Sequence, residues 1–537
     1  MKLRNLMWGA CACIFAAGCS NDDVVVDKGN TVESTGNAYM KVRIAMTGNP
    51  SSRATSGDYD YGTTEEQSIN NVFFMFYDDE GNWVADGKLQ ETVTVNPSEG
   101  ENNPVEAIAE AVLALELKEG EEFPTQVVAY VNMKDEQANL SGKSITKVKE
   151  EVANSVCTAA EGKYSNFVMT NSTYLKNGVE KIGTDVARDQ FFEKEDAAKE
   201  ADPVEIYVER LAAKVTVLNS TPTISDIEAG DYTLTFVPEG YAISGLNTSE
   251  YYLKHIQTGW SSWSWFNAPT DFRCFWAEDP NYDKNATITY TNYNESKVAL
   301  GTAQYCMENT MTADYANFNN STFLILVGYY VVKDSEGNTV DLAVNSDGYL
   351  YMYAGTAYMA EDLKERLLEQ AADNELAWVT TDSGKTYTQA DASAYEIVRK
   401  GTNTVTLALK ENTGTTYYTQ QAEDTYTEIT NIATFNEELS TYLEYFGSVE
   451  AFENGKASYA KLIEHFGGTQ ANDMTGAIGV VRNHSYQITV TQVSGLGEGV
   501  FNPAEDIIPT DTEKTYYVGA EMNILSWKTV SQTVSFD

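Results

Sequence analysis

The three histidines, His255, His465 and His484, are the side chains best suited to acid–base or metal chemistry near neutral pH, and they are widely separated along the chain. None stands in an HExxH or comparable ligand spacing, so no metal site is expected. His484 falls in Arg482-Asn483-His484, just ahead of a strand-like run, where a structural hydrogen bond suits it better than catalysis. Gly495-x-Gly497-x-Gly499 follows such a run but opens no helix, which makes it a glycine-rich turn and not a dinucleotide cradle. The acidic turn Asp78-Asp79-Glu80 lacks the spacing of an EF-hand. Cys157, Cys274 and Cys306 have no CxxC spacing; Cys274 and Cys306 could pair in an oxidising compartment only if the fold brings them together. Trp260, Trp263, Trp265 and Trp276 concentrate aromatic rings that could stack on sugars, although aromatics at strand spacing more often pack a core. With no nucleophile–base pair identifiable, neither enzymatic activity nor a cofactor is expected.

Two other residues invite chemistry done to the chain and not by it. Lys2 and Arg4 precede an apolar run from Leu6 to Ala17, too short to span a bilayer and correct for the core of a signal peptide. It ends in Ala16-Ala17-Gly18-Cys19, the form of a lipobox, so Cys19 is the expected lipidation site and residues 1–19 the leader. The acidic Ser20-Asn21-Asp22-Asp23 follows, and residues 20–36, polar and without periodicity, form a tether. No other segment is apolar and long enough to cross a membrane, so membrane contact is expected only through the lipid of the precursor. Arg53 is the only basic residue of the Gly/Ser/Asp/Pro loop from Asn49 to Gly62, a place where proteases reach a chain. The competing Arg43 lies inside a strand-like run.

These residues must be positioned by strands. At 537 residues the chain suits two large domains. Hydrophobic residues make up 42% and aromatics 12%, with 34 Tyr, a composition that supplies cores and favours strands. A formal net charge of -43 repels phosphate backbones and anionic lipid, which argues against nucleic acid as a partner.

Order begins at Ala38 to Met46, where Met40, Val42, Ile44 and Met46 alternate with Lys41 and Arg43 in the period of a strand with one buried face. Further strands are expected at Asn71 to Tyr77, with a return through Trp83 after an Asp79-Glu80-Gly81-Asn82 turn, and at Gln126 to Asn132, Asn166 to Thr170 and Val204 to Val217. A short helix is expected near Ile145 to Val152. The second half continues at Asp231 to Val237, Thr287 to Tyr293, Thr322 to Val332, Tyr349 to Tyr353, Thr404 to Leu409 and Tyr486 to Val493. Two amphipathic helices interrupt it, one from Glu361 to Ala372 with Leu363, Leu367, Leu368 and Ala371 on a stripe, the other with Phe435, Leu439, Tyr442, Leu443 and Phe446. Two alternating runs close the chain: Tyr516 to Ile524, then Val530, Val534 and Phe536.

Several segments in this order resemble the major subunits, or fimbrilins, of the short (Mfa-type) fimbriae of Bacteroidetes: GTTEEQSINNVFFMFYDDEGNWV, QVVAYVNM, VEIYVERLAAKV, FRCFWAEDPNY, YLYMYAGTAYMAEDLKERL, VVRNHSYQITVTQVSGLG and the closing MNILSWKTVSQTVSF. The resemblance implies an all-β fold of two tandem transthyretin-like antiparallel β-sandwich domains, residues 37–218 and 219–537, with a few short helical insertions. It also implies a surface fimbria subunit that supports adhesion. On that pattern an Arg-specific protease cuts between Arg53 and Ala54, the strand carrying Met40, Val42, Ile44 and Met46 is lost, and a neighbour's C-terminal strand, with Val530, Val534 and Phe536, refills the groove. The partners implied are further copies in a homopolymer, anchor and tip proteins, the protease, and a host protein or glycan. The rival expectations are a monomeric surface lipoprotein that binds glycans through Trp260 to Trp276, and an anchor subunit that stays lipidated.

Overall fold

A computed structural model describes residues 36–47, 62–90, 92–97, 105–118, 123–160, 162–263, 266, 272–285, 287–381, 386–411, 413–466, 477–510, 517–525 and 529–533. The fold is all-β, with only short helices among the described residues.

The alternation of the first segment becomes strand β1 (Gly36–Thr47). Met40, Val42, Ile44 and Met46 turn inward and are no more than 1% exposed, while Lys41 and Arg43 turn outward to Glu110, at 3.3 and 2.6 Å. The first sheet adds β2 (Val72–Tyr77), β3 (Trp83–Leu89), β4 (Thr94–Pro97), β5 (Val105–Leu117), β6 (Gln126–Val131), β7 (Met169–Asn171) and β8 (Val204–Arg210). Its order is β1-β8-β7-β6-β2-β3-β5-β4, and β1 also pairs with β5, so the sheet closes on itself in a barrel-like arrangement. The uninterrupted apolar run of β2 is buried throughout. Leu140 of helix α1 (Gln137–Leu140), and Ile145 and Val148 of α2 (Ile145–Lys149), belong to the same core. The β2–β3 turn closes as its residues demand: Asp78 accepts the N–H groups of Glu80 and Asn82 at 3.0 and 2.8 Å, and Gly81 takes φ +81°.

The expected strand from Val204 to Val217 is two strands. The chain leaves the first sheet at Leu211-Ala212, both fully buried, and enters a second as β9 (Ala213–Val217). The remaining strands of that half used below are β10 (Tyr232–Ser244), β11 (Gln304–Cys306), β12 (Phe323–Lys333), β13 (Lys456–Leu462), β14 (Ser485–Ser494), β15 (Tyr517–Leu525) and β16 (Thr529–Thr533). One sheet runs β11-β9-β14-β15-β16 and another contains β10-β12-β13. Val215, Ile488 and Val490 from the first share one core with Leu234, Phe236, Leu326 and Tyr330 from the second, so the sheets pack as a sandwich. Helices α3 (Ala360–Gln370) and α4 (Ile432–Glu444) bury most of the stripes read from the sequence, Leu363 and Leu367 on one, Phe435, Leu439 and Leu443 on the other, in a further core; α4 stops before Phe446, which is exposed.

Other expected elements are displaced or shortened. The strand expected from Asn166 to Thr170 is Met169–Asn171, and Thr287 to Tyr293 contains only the strand Ile288–Thr289. The helix near Ile145 stops at Lys149, because Val152 and Ala153 pair with Tyr251 and Glu250 instead.

Candidate functional site

The residues expected to matter for assembly converge on β1. It is clasped on both edges: antiparallel to β5 from Gly36↔Leu117 to Thr47↔Val105, and parallel to β8 from Val42↔Val204 to Met46↔Val208. Its inward side chains meet a core that includes Leu113 and Leu115 of β5 and Ile206 and Val208 of β8. Burying each of Met40, Val42, Ile44 and Met46 contributes about 1.5–3 kcal/mol, so together they supply on the order of 10 kcal/mol as an upper figure. That is comparable to the whole net stability of a typical domain, about 5–15 kcal/mol. A subunit without β1 therefore needs another strand in the groove. Arg43, already tied to Glu110 across the β1–β5 pair, is poorly placed for a protease.

Gly62 borders a cluster of buried charge that sequence reading missed. Gly62 N–H donates to Glu106 Oε2 at 2.9 Å, and Arg210 reaches the other oxygen of Glu106. Arg210 Nε also donates to the carbonyl of Glu66 at 2.7 Å. The Glu66 carboxylate is 1% exposed and pairs with Lys214 at 3.1 Å, with the Tyr305 hydroxyl and with the Thr63 N–H at 2.5 Å. Burial opposes its ionisation, yet the charges of Lys214 and Arg210 and these hydrogen bonds outweigh burial and hold its pKa below the ordinary value. The segment after the Asn49–Gly62 loop is thus pinned to β5, β8 and β9, while β1, before the loop, is held by its two ladders and its core face. The single sequence signal for this cluster was Glu65-Glu66 ahead of an apolar run, and nothing local identifies which carboxylate is buried.

A second buried cluster lies around Arg482-Asn483-His484. Arg482 pairs with Glu250 and Glu308 at 2.9 and 3.1 Å, and Glu209 of β8 pairs with Lys254 at 2.9 Å. Asn483 N–H donates to the carbonyl of Ala212 at 2.8 Å, where the chain passes between the two sheets. His484 has the structural hydrogen bond expected of it, Nδ1 to the carbonyl of Arg482 at 2.8 Å. Burial first, then the charges of Arg273 and His465, push its pKa well below that of a free histidine.

The C-terminal strands form a hairpin on the second sheet. β15 pairs with β14 on one side, from Ser485↔Leu525 to Ser494↔Tyr517, and with β16 on the other, from Glu521↔Thr533 to Leu525↔Thr529. β16 ends the sheet, paired on one side among the described residues. Val530 lies in β16 opposite Ile524. Cys19, Arg53, Ala54, Val534 and Phe536 lie outside the described residues.

The tryptophans pack: Trp276 is fully buried and Trp260 is 5% exposed, in a core with Phe266 and Cys274, and Trp263 stacks on Trp260 with ring centroids 5.2 Å apart. Trp265 lies outside the described residues. Cys274 and Cys306 do not pair; both are buried free thiols, as Cys157 is a half-buried one.

Two family models match the chain on the segments that build this site. The model of the major fimbrial subunit protein FimA matches residues 38–208, from β1 into β8, and that of the type IV major fimbrial subunit, fimbrillin C-terminal, matches residues 450–533, from just before β13 to the end of β16. Both are models of major fimbrial subunits, so the two matched segments are those of the fimbrilin family. No curated protein matches the chain in sequence. Among solved structures it is similar to a fimbrilin (FimA) of Porphyromonas gingivalis, at 12% identity and a TM-score of 0.36, over 92% of this chain and 98% of that one. A fimbrial assembly protein of Parabacteroides distasonis is similar at 12% identity and a TM-score of 0.26, over 73% of this chain and all of that one.

Proposed function

We propose that this chain is a fimbrilin, the shaft subunit of a cell-surface fimbria, and polymerises by strand exchange after proteolytic loss of β1. The observation that carries the reading is the double pairing of β1: its departure opens a closed sheet along β5 and β8 and uncovers an apolar trough. Exposed N–H and C=O edges beside apolar pockets accept an added strand of alternating pattern. We assign the donor to the terminal segment with Val530, Val534 and Phe536, because β16 leaves its own sheet by giving up one ladder whereas β15 must give up two.

The precursor is carried to the outer membrane by lipid on Cys19, and an Arg-specific protease cuts between Arg53 and Ala54. The two units of the subunit are residues 37–218 and 219–537, with β9 contributed to the sheet of the second. Partners are further copies of the chain, anchor and tip proteins, and a host protein or glycan that the assembled fimbria adheres to.

Limited trypsin digestion of the native precursor tests the reading. N-terminal sequencing is expected to give a product beginning at Ala54, and size-exclusion chromatography to show polymers once residues before it are lost. A loop that resists while other sites are cut, or a cut subunit that stays monomeric, would remove the reading's support. With Cys19→Ala, lipid labelling and retention in the membrane fraction are expected to disappear.

A further inference from the structure

A cleft of about 540 Å³ opens at one end of the first sheet, away from the β1 groove, and none of the assembly steps uses it. It lies where Asn71 and Asn132, at the ends of β2 and β6, face the loop Asn154–Thr158. Its size falls in the range of ligand sites, about 300–1,000 Å³. Its lining is unusual in a chain of net charge -43: carboxamides dominate, with Asn71, Asn139, Asn154 and Asn166 around it. Ser155 and Thr158 add hydroxyls, and Met133, Val168 and Tyr252 supply buried apolar surface.

The cleft is built, not incidental. Asn132 and Asn166 both hold left-handed backbone, with φ of +60° and +54°. Asn132 stitches the walls together, donating from Nδ2 to the carbonyls of Ser68 and Phe167 at 2.9 and 2.7 Å and accepting the Asn70 N–H at 2.8 Å. Asn70 in turn donates to Asn166 Oδ1 at 3.1 Å. Asn71 lines the cleft, and its Oδ1 is buried without a hydrogen-bond partner, at a cost of about 1–3 kcal/mol that a donor would relieve once the amide turns toward the cleft.

We propose that this cleft binds a neutral saccharide. Carboxamides donate and accept at once, as sugar hydroxyls require, and the apolar floor suits the C–H face of a pyranose. Asp135 and Glu136 on the rim, opposed only by Lys134, disfavour sulfated or sialylated chains. A peptide is a poorer fit, because β2 and β6 are paired on both edges and offer no free ladder for strand addition. The site is independent of polymerisation and would serve the monomer as well as the fimbria.

The test is saturation-transfer NMR and calorimetry on the full chain with lactose, N-acetyllactosamine, maltotriose and mannotriose, and with a heparin-derived oligosaccharide as the anionic comparison. At least one neutral sugar is expected to bind. Asn154→Trp, a filling substitution at an exposed rim position, is expected to weaken it about tenfold or more, equivalent to about 1.4 kcal/mol, at an unchanged melting temperature. Asn71→Ala is expected to weaken it by a smaller factor. Absence of binding by all four neutral sugars, stronger binding of the heparin fragment, or neutral-sugar binding that Asn154→Trp leaves intact would each overturn the proposal.

Discussion

β1 and β16 are both terminal strands, and the fold treats them in opposite ways. β1 is paired on both edges and presents four inward side chains to the core, whereas β16, among the described residues, is the last strand of an open sheet and pairs with β15 alone. Removing the first opens a closed sheet; removing the second shortens an open one by its edge strand. The asymmetry gives a direction to the proposed exchange. The strand whose loss leaves the larger free-energy deficit defines the acceptor groove, and the strand that can leave at low cost is the donor. Between the two, the pinned segment from Gly62 to Glu66 lets a cut in the preceding loop free β1 without loosening β2 and the strands after it.

The largest expected effect tests the acceptor. Ile44→Asp places a charge in the closed sheet at a position with no exposure, and the effective penalty of several kcal/mol for the buried ion adds to about 2–3 kcal/mol of lost burial. Together these approach the net stability of a domain, so the uncut precursor is expected to lose the tertiary packing of its first unit, seen as a loss of near-UV circular dichroism. Wild-type packing in that variant would mean that β1 is dispensable to the precursor.

Next in size is the pinned segment. Glu106→Gln removes the carboxylate that meets Arg210 in the interior, and is expected to cost about 3–5 kcal/mol in urea denaturation. The loss is expected before and after β1 is released, because Arg210 and Gly62 stay with the subunit in both states. A loss seen in only one of the two would show that the cluster changes when the strand leaves.

The two regions also differ in how far the sequence disclosed them. β1 was legible from its period of two, because a strand with one core face writes that pattern directly. β5, its longer neighbour, was overlooked although it buries Ala107, Ala109, Ala111, Leu113, Leu115 and Leu117, since apolar Ile108, Val112 and Ala114 between them blur the period and a run rich in Ala, Glu and Leu carries helix propensity that pairing on both sides overrides. The break at Leu211-Ala212 was hidden because both residues are as apolar as the strands they separate. The charge clusters around Glu66 and Arg482 were invisible for a different reason: their partners are distant in sequence, as Arg210 is from Glu66 and Glu308 from Arg482, and no local pattern distinguishes a buried carboxylate from a solvated one. That Trp260 and Trp276 would pack was legible from their type, although not through strand spacing, because Trp260 lies in the 3-10 helix Thr258–Ser262 and Trp276 in no strand.

A smaller effect separates the two charge clusters by pH. His484 has a folded pKa below its unfolded value near 6.5, so its share of stability is complete above that value and is lost as pH falls toward the lower folded one. Glu66 is also held below its ordinary value of 4.5, so its share is lost only in more acid solution. The histidine's share, at most about 1.4 kcal/mol per pH unit, is therefore expected to be lost between pH 7 and pH 5, against the opposite trend of Glu250 and Asp279, whose carboxyl pKa values burial raises, that of Asp279 to about 6. His255, whose pKa burial also lowers, contributes in the same direction as His484. In His484→Gln the slope of melting temperature over that interval is expected to lose this share, and an unchanged slope would assign the acid loss to other groups.

The smallest expected effect on the monomer is the one that decides the donor. Deleting Ser531 to Asp537 removes most of an edge strand whose pairing is confined to β15, and is expected to change monomer stability by no more than about 1 kcal/mol. The same deletion is expected to abolish polymers after cleavage at Arg53, because the groove vacated by Met40, Val42, Ile44 and Met46 would then meet no strand carrying Val534 and Phe536. Thermal melting reports the first outcome and size-exclusion chromatography the second. A truncated chain that unfolds would place those residues in the core of its own subunit, making β16 a second β1. A truncated chain that folds and still polymerises would move the donor to β15, whose departure must then break its pairing with β14 from Ser485↔Leu525 to Ser494↔Tyr517, and the cost of exchange would be set by that ladder instead.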